Sequence, residues 1–226
     1  MNKLQHSIAM GDHDRTRALL DGSVQIDGVA PVCMTLSPEE TFFHAFRGVE
    51  FDISELSFSS YLVKASKGES PYIAVPVFLS RAFRHTSIWV RKDRIKTPVD
   101  LKGKRVGVPE FQLTANVWAR GGGEEVARGA ASVAAGAVRK AFTQAKALAL
   151  EKLADTSATK VTLPFVEEQL KAARDAMGDD YWAYGVAASR RTLETFVWHH
   201  FAQGLSSRLM SVDEIFHPAT YESYSI

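Results

Sequence analysis

Apolar and polar positions follow two rhythms over the first hundred residues. LQHSIAM (4–10) is a short β-prone run that ends in the turn Gly11-Asp12-His13-Asp14. TRALLDG predicts a short helix stopped by Gly22. VAPVCMTL (29–36) is nearly all apolar, as expected of a strand buried on both faces. Ser37-Pro38-Glu39-Glu40 then supplies a Ser N-cap, Pro at the first helical position and acids in the first turn, so a helix runs to Phe46 and stops near Gly48. FDISELSFSSYL predicts a further strand, with Ser59 or Ser60 opening a helix that ends at Gly68. IAVPVFL and HTSIWVRK predict two more strands, TPVDLKG a capped helical turn, and KRVGV a last strand.

Strands that alternate with helices imply βαβ units and a mainly parallel sheet, so residues 1–92 are expected to form a compact α/β lobe. After Gly121-Gly122-Gly123 the alternation stops. Glu124 to Leu153 reads as one long helix, alanine-rich and poor in large side chains before Phe142. Pro164 to Met177 is a second helix closed by Gly178, Ala187 to Gln203 a third closed by Gly204, and SVDEIF a short last one capped by Ser211 and stopped by Pro218.

Composition narrows the class. The 226 residues are 46% hydrophobic, enough for a sizeable core, and the net charge of +1 offers no nucleic-acid-binding surface. The only cysteine, Cys33, lies in an apolar run and is expected to be a buried, inert thiol; it cannot form an internal disulfide. The N-terminus lacks a secretory pattern and no segment reaches the roughly 20 apolar residues of a membrane span, so the expected location is cytoplasmic, with no membrane partner.

Ligands of parallel α/β sheets sit beyond the carboxyl ends of the strands. The segments expected there are Gly11–Thr16, Ser59–Tyr61, Ser80–His85 and Pro109–Thr114, all polar. Arg81 or Arg84 could grip a carboxylate bidentately, and His85 titrates near neutrality and could donate a proton. On the residues alone a solvated turn accounts for this cluster more simply. Ser59 and Ser60 suit an anion at a helix start, or a cap, or both. Asp14 and Arg15 occupy the first strand-to-helix loop, where Asp14 either contacts ligand or caps the helix. Other features carry less. His199 and His200 are adjacent and point about 100° apart, unlike a metal pair at i, i+4. Asp179-Asp180 read as turn residues, Trp182 and Trp198 as core, and no zinc-type spacing is present.

Long stretches carry a resemblance. GDHDRTRALLDG, SPEETFFHAFRGVEFDISELSFSSYL, IAVPVFLSRAFRHTSIWVRKD and DLKGKRVGVPEFQLTANVWARG resemble the 4,5-dihydroxyphthalate decarboxylase family, and so do KAFTQAKALALEKL, VTLPFVEEQL, MGDDYWAYGV and TLETFVWHHFAQGLSSRLMSVDEIF. The resemblance implies a two-lobe fold of the type II periplasmic-binding kind, related to ABC-transporter substrate-binding proteins. In that pattern residues 1–95 are the first lobe, 96–123 the start of the second lobe plus a glycine linker, and 124–226 a helical segment packing back on the first lobe. Most of the second lobe is expected to be absent, since the chain passes from Arg120 through three glycines to the final helices.

The implied reaction is decarboxylation of a hydroxylated aromatic dicarboxylate, of the 4,5-dihydroxyphthalate to protocatechuate type, without a metal or other cofactor. The alternative is a non-catalytic small-molecule binding domain of the same fold. The resemblance turns Ser80–His85 into the expected site, with His85 and Arg84 catalytic and Arg81, Asp14, Arg15, Ser59 and Ser60 binding substrate. Glu110, Gln112 and Thr114 occupy the corresponding loop of the second lobe. The expected partner is a small aromatic carboxylate, and a homo-oligomer is open.

Overall fold

The computed structural model describes residues 3–80, 89–108, 110–121, 135–155, 157 and 161–221. Its centre is a three-stranded, wholly parallel sheet in the order β2-β1-β3, formed by β1 (Leu4–Met10), β2 (Val29–Thr35) and β3 (Ile53–Ser54). β1 pairs with β2 along its whole length, from Leu4 opposite Val29 to Met10 opposite Thr35. β3 meets only its buried end, with Ile8 opposite Ile53 and Ala9 opposite Ser54. The α/β class and the parallel sheet expected for the first part of the chain are therefore present.

The helices are α1 (Asp14–Leu20), α2 (Pro38–Gly48), α3 (Phe58–Ala65), α4 (Thr114–Gly121), α5 (Ala135–Ala154), α6 (Val166–Met177), α7 (Val186–Ala202) and α8 (Val212–Ile215). α2 begins as its sequence dictates: the Ser37 hydroxyl accepts from the Glu40 amide at 3.3 Å while the Glu40 carboxylate accepts from the Ser37 amide at 3.0 Å, with Pro38 first in the helix. α1 lies against α5, whose Val138 and Phe142 face Ile8 and Ile53 of the sheet across a small cavity.

Several expected elements differ. VAPVCMTL forms a strand but not one buried on both faces: β2 is an edge strand, Val32 is half exposed, and Pro31 is tolerated because an edge leaves amide positions unneeded. FDISELSFSSYL is not one strand. β3 ends at Ser54, and Ser57 rather than Ser59 or Ser60 caps α3, its hydroxyl accepting from the Ser60 amide. IAVPVFL is largely buried like a central strand, yet it forms only isolated bridges at Ile73 and Ala74, the latter with Phe216. Two of its carbonyls are taken by the C-terminal segment instead: Gly185 donates its amide to Pro76 and His217 to Ala74, both at 2.8 Å.

HTSIWVRK falls partly outside the described residues; positions 89–92 are not a strand, and Trp89 is 94% exposed. KRVGV is not a strand either. The expected turn at TPVDLKG does form, as a 3-10 helix (Pro98–Leu101) whose Asp100 carboxylate accepts from the Lys96 and Thr97 amides. The alanine-rich first part of the expected long helix, up to 134, lies outside the described residues; from Ala135 the expected helix is present as α5. Trp198 is exposed rather than core, and Cys33 is half-buried, its thiol pushed up by that burial. Among the described residues no helix is long and apolar enough to cross a membrane.

The core joins distant parts of the chain through aromatic rings. Phe196 of α7 lies 5.2 Å from both Phe58 of α3 and Trp118 of α4, and Phe58 stacks near Phe216 at 6.3 Å. The Tyr61 hydroxyl donates to the Ile215 carbonyl at 2.9 Å. Because Phe196 is wholly buried where three helices meet, Phe196→Ala is expected to cost about 3–5 kcal/mol by urea denaturation. A loss below about 1 kcal/mol would show that the junction closes without it.

Candidate functional site

Parallel pairing sends the carboxyl ends of β1 and β3 to one edge of the sheet, so the loops that follow them meet. Glu55, the residue after β3, is the centre of that meeting. Its amide donates to the Ala9 carbonyl at 2.8 Å, and its carboxylate accepts from the Gly11 amide at 2.9 Å. His13 Nε2 lies 3.4 Å from the same oxygen. Burial alone pushes the Glu55 carboxyl up, but His13, the Gly11 N–H and the charge of Arg15 outweigh it and hold the group below the usual range for a glutamate. A side chain at Gly11 would displace the His13 ring, since a Cβ there would come within 2.6 Å of it.

Asp14 and Arg15 do come together at this edge. His13, not Asp14, precedes the first helical residue, and its amide is satisfied by the Thr16 hydroxyl at 2.9 Å. The Asp14 carboxylate instead accepts from the Arg15 amide and from Arg15 Nη1, each at 2.7 Å. Arg15 Nε donates to the Leu79 carbonyl at 2.5 Å, and its guanidinium lies 4.4 Å from the centre of the Trp182 ring. Trp182 Nε1 donates to the neighbouring Phe78 carbonyl at 2.8 Å. Two side chains thus hold consecutive carbonyls just before Ser80. Arg81, Arg84 and His85 lie outside the described residues.

Ser59, Ser60 and Thr114 form a second group at the start of α3. The Thr114 hydroxyl accepts from the Ser59 amide at 3.1 Å and lies 3.2 Å from the Ser57 hydroxyl. It occupies the position that an anion would take at this helix end. Ser60 is half-buried, its hydroxyl 3.3 Å from Ser57. Ser59 is wholly buried and its hydroxyl faces inward, 2.9 Å from His200 Nε2, whose other nitrogen lies 3.1 Å from the Ser206 hydroxyl. Glu110 and Gln112 are exposed and join neither group; the Glu110 carbonyl accepts from Asn116.

The residues that sequence reading missed are Glu55, His13, Lys146 and Tyr184. Glu55 was hidden by reading the third strand on to Phe58, which moved the strand end four residues too far. Lys146 is nearly buried, donates to the Asp180 carboxylate at 2.6 Å and to the Trp182 carbonyl at 3.0 Å, and sits 4.8 Å from the Tyr184 ring centre. Its signal was a lysine inside an otherwise apolar helix stripe. A cavity of about 20 Å3, room for roughly one water, lies between Glu55, Leu79, Val138 and Phe142. Among the described residues no group of three or more His, Cys, Asp or Glu could hold a metal ion.

The chain is 42% identical to a 4,5-dihydroxyphthalate decarboxylase of Comamonas testosteroni over a 330-residue alignment that takes in all of both chains. As this chain has 226 residues, stretches of that relative have no counterpart here. It is also 66% identical over 121 residues to a 4,5-dihydroxyphthalate decarboxylase of Pseudomonas putida, a match covering 53% of this chain and 47% of that one. No family model matches.

His200 generates a pH prediction. Burial drives its pKa from about 6.5 down to about 4, against the opposing pull of the Ser59 carbonyl and with help from the charge of Arg120. The folded protein thus binds a proton less readily than the unfolded chain. Stability is complete above about pH 6.5 and is lost as pH falls toward 4, by roughly 3 kcal/mol. Urea titrations across this window should show the loss, and His200→Gln should flatten it. An equally steep fall in the variant would assign the acid limb to other groups.

Proposed function

This chain belongs to the 4,5-dihydroxyphthalate decarboxylase family, and from that premise we propose that it removes one carboxyl group, as CO2, from 4,5-dihydroxyphthalate or a close analogue. The observation that carries the reading is the 42% identity that runs through the whole chain.

The chemistry is direct. A proton adds to the ring carbon bearing the departing carboxylate, forming a C–H bond and interrupting aromaticity. The hydroxyl para to that carbon feeds electron density into the ring and stabilises the intermediate. The bond to the carboxylate then breaks, its electron pair restores the ring, and CO2 leaves. The protein must supply an acid, an anchor for the carboxylate that stays, and water exclusion. We assign the acid to His85 and the anchor to Arg84 and Arg81, from the resemblance of SRAFRH. Their segment follows Leu79, whose carbonyl Arg15 holds, so Arg15 acts here through the chain path rather than as a free anion grip. Ser60 and Thr114 remain proposed contacts for a substrate carboxylate, while the inward hydroxyl of Ser59 supports a structural tie to His200 instead. Glu110 and Gln112 contribute only where the second lobe's wall is built.

We further read the fold as the first lobe of a type II periplasmic-binding architecture in a cytoplasmic enzyme, with the second lobe largely missing between Arg120 and the last helices. The exposed, strandless 104–108 segment and the longer relative support this. One wall can hold a carboxylate but cannot dry the ring, so binding survives better than turnover.

With 4,5-dihydroxyphthalate, calorimetry should show weak, salt-sensitive binding that Arg84→Ala abolishes. Trapped CO2 and protocatechuate should accumulate far more slowly than with a full-length relative. Turnover at the relative's rate would sink the incomplete-cleft argument. Absence of both binding at millimolar ligand and CO2 would sink the decarboxylase reading for this chain.

A further inference from the structure

Charge is divided unevenly along this chain. Residues 89–108 hold seven basic side chains and two acidic ones, a surplus of five positive charges in a protein whose net charge is +1. The remainder therefore carries a surplus of four negative charges. Both acids of the segment are already engaged: Asp93 pairs with Arg91 and Arg94, and Asp100 accepts from the Lys96 and Thr97 amides. Lys102, Lys104 and Arg105 form no ion pair among the described residues. In the same segment Trp89, Val99 and Val106 are exposed. A basic surface that also presents large apolar side chains fits a partner that is both acidic and apolar.

Such a surface is present on the same chain. Residues 163–180 hold five acidic side chains against two basic ones. Glu167 and Glu168 lie in the first turn of α6 and form no ion pair among the described residues. Leu163, Phe165 and Met177 are exposed in the same segment. Phe165 is 74% exposed, and its backbone is left-handed, with φ 59°, at a helix start where its side chain makes no capping bond. A bulky residue in that conformation is strained, and here the strain holds an aromatic ring in water. Burial against a partner would offset it. Within one copy, no hydrogen bond or ion pair joins the two segments among the described residues.

We propose that the two faces bind each other between copies: residues 89–108 of one copy dock on residues 163–180 of a second. Lys102, Lys104 and Arg105 then face Glu167 and Glu168, and the exposed apolar side chains of both segments are covered. Like faces do not pair, because two 89–108 surfaces would set one positive surplus against another. The contact is therefore heterologous, joining different patches of identical chains. It stands independently of the decarboxylase reading.

Sedimentation velocity on the parent and two double variants tests it. The parent should exceed its monomer mass of 24.9 kDa as concentration rises, and added salt should weaken the association at least about tenfold. Lys104→Glu with Arg105→Glu, and separately Glu167→Lys with Glu168→Lys, should each remain monomeric with the parent's melting temperature, since all four side chains are surface groups. An equal mixture of the two variants should associate again, because each restores the charge that the other lost. A parent that is monomeric at about 100 μM overturns the proposal, since a contact of ordinary size is populated there. So does association that ignores salt, that persists in either variant alone, or that the mixture does not restore. A monomeric parent that sediments with phosphatidylglycerol vesicles also overturns it and gives the basic face to an anionic lipid surface.

Discussion

Everything at the candidate site depends on β1 pairing parallel to both neighbours. An antiparallel partner would return its following loop to the opposite edge. Here the chain leaves Met10 and Ser54 on the same side, so Gly11 and Glu55 end within one hydrogen bond of each other. That bond fixes a nearly buried carboxylate, which in turn sits beside the His13 ring laid over Gly11. Arg15 follows one helical position after Asp14 and reaches the Leu79 carbonyl because α1 starts where the strand has just ended. Loss of the parallel register by one residue would turn Ile8 and Met10 to the other face and take the whole edge with it.

The second constraint is that this sheet is small. Three strands cannot bury both faces and close both edges, and much of what completes them arrives from residues after 135. α5 covers α1, Phe216 bridges Ala74, Gly185 satisfies Pro76, and Phe196 fills the space between Phe58 and Trp118. The same return brings Trp182, Tyr184 and Lys146 to the edge beyond β1. Fold completion and site construction are therefore one event, and damage to α7 is expected to reach the site through packing alone.

How much of this was legible follows from the range of the interactions. LQHSIAM and SPEE were readable because their signals are local: β-prone composition ended by a glycine turn, and a cap with its reciprocal acid. The class and the parallel sheet followed. FDISELSFSSYL misled because its β-prone composition continues past the point where β1 stops offering partners, so the strand ends at Ser54 for a reason located at Ala9. Asp14 and Arg15 were placed at this edge of the sheet from loop position alone. Glu55 was lost with the strand end, and Tyr184 and Lys146 were out of reach because their relevance depends on a return of the chain that no local pattern encodes.

The exposed segment after 89 makes the same point from the other side. Trp89, Val99 and Val106 are 94%, 77% and 61% exposed, and KRVGV has the composition of a strand. Strand propensity is largely a statement about neighbours: β-branched residues favour a pleated surface only when that surface packs. Among the described residues no strand pairs with 104–108, so its amides and carbonyls have no ladder to enter. Leu113 to Trp118 escapes this fate because a helix satisfies its own backbone and needs only one face to bury. α4 accordingly forms, turns Val117 and Trp118 inward against α7, and sets Thr114 on the start of α3. Along 104–121 the helix forms and the strand does not, which is the difference between an element that carries its hydrogen bonds within itself and one that must borrow them.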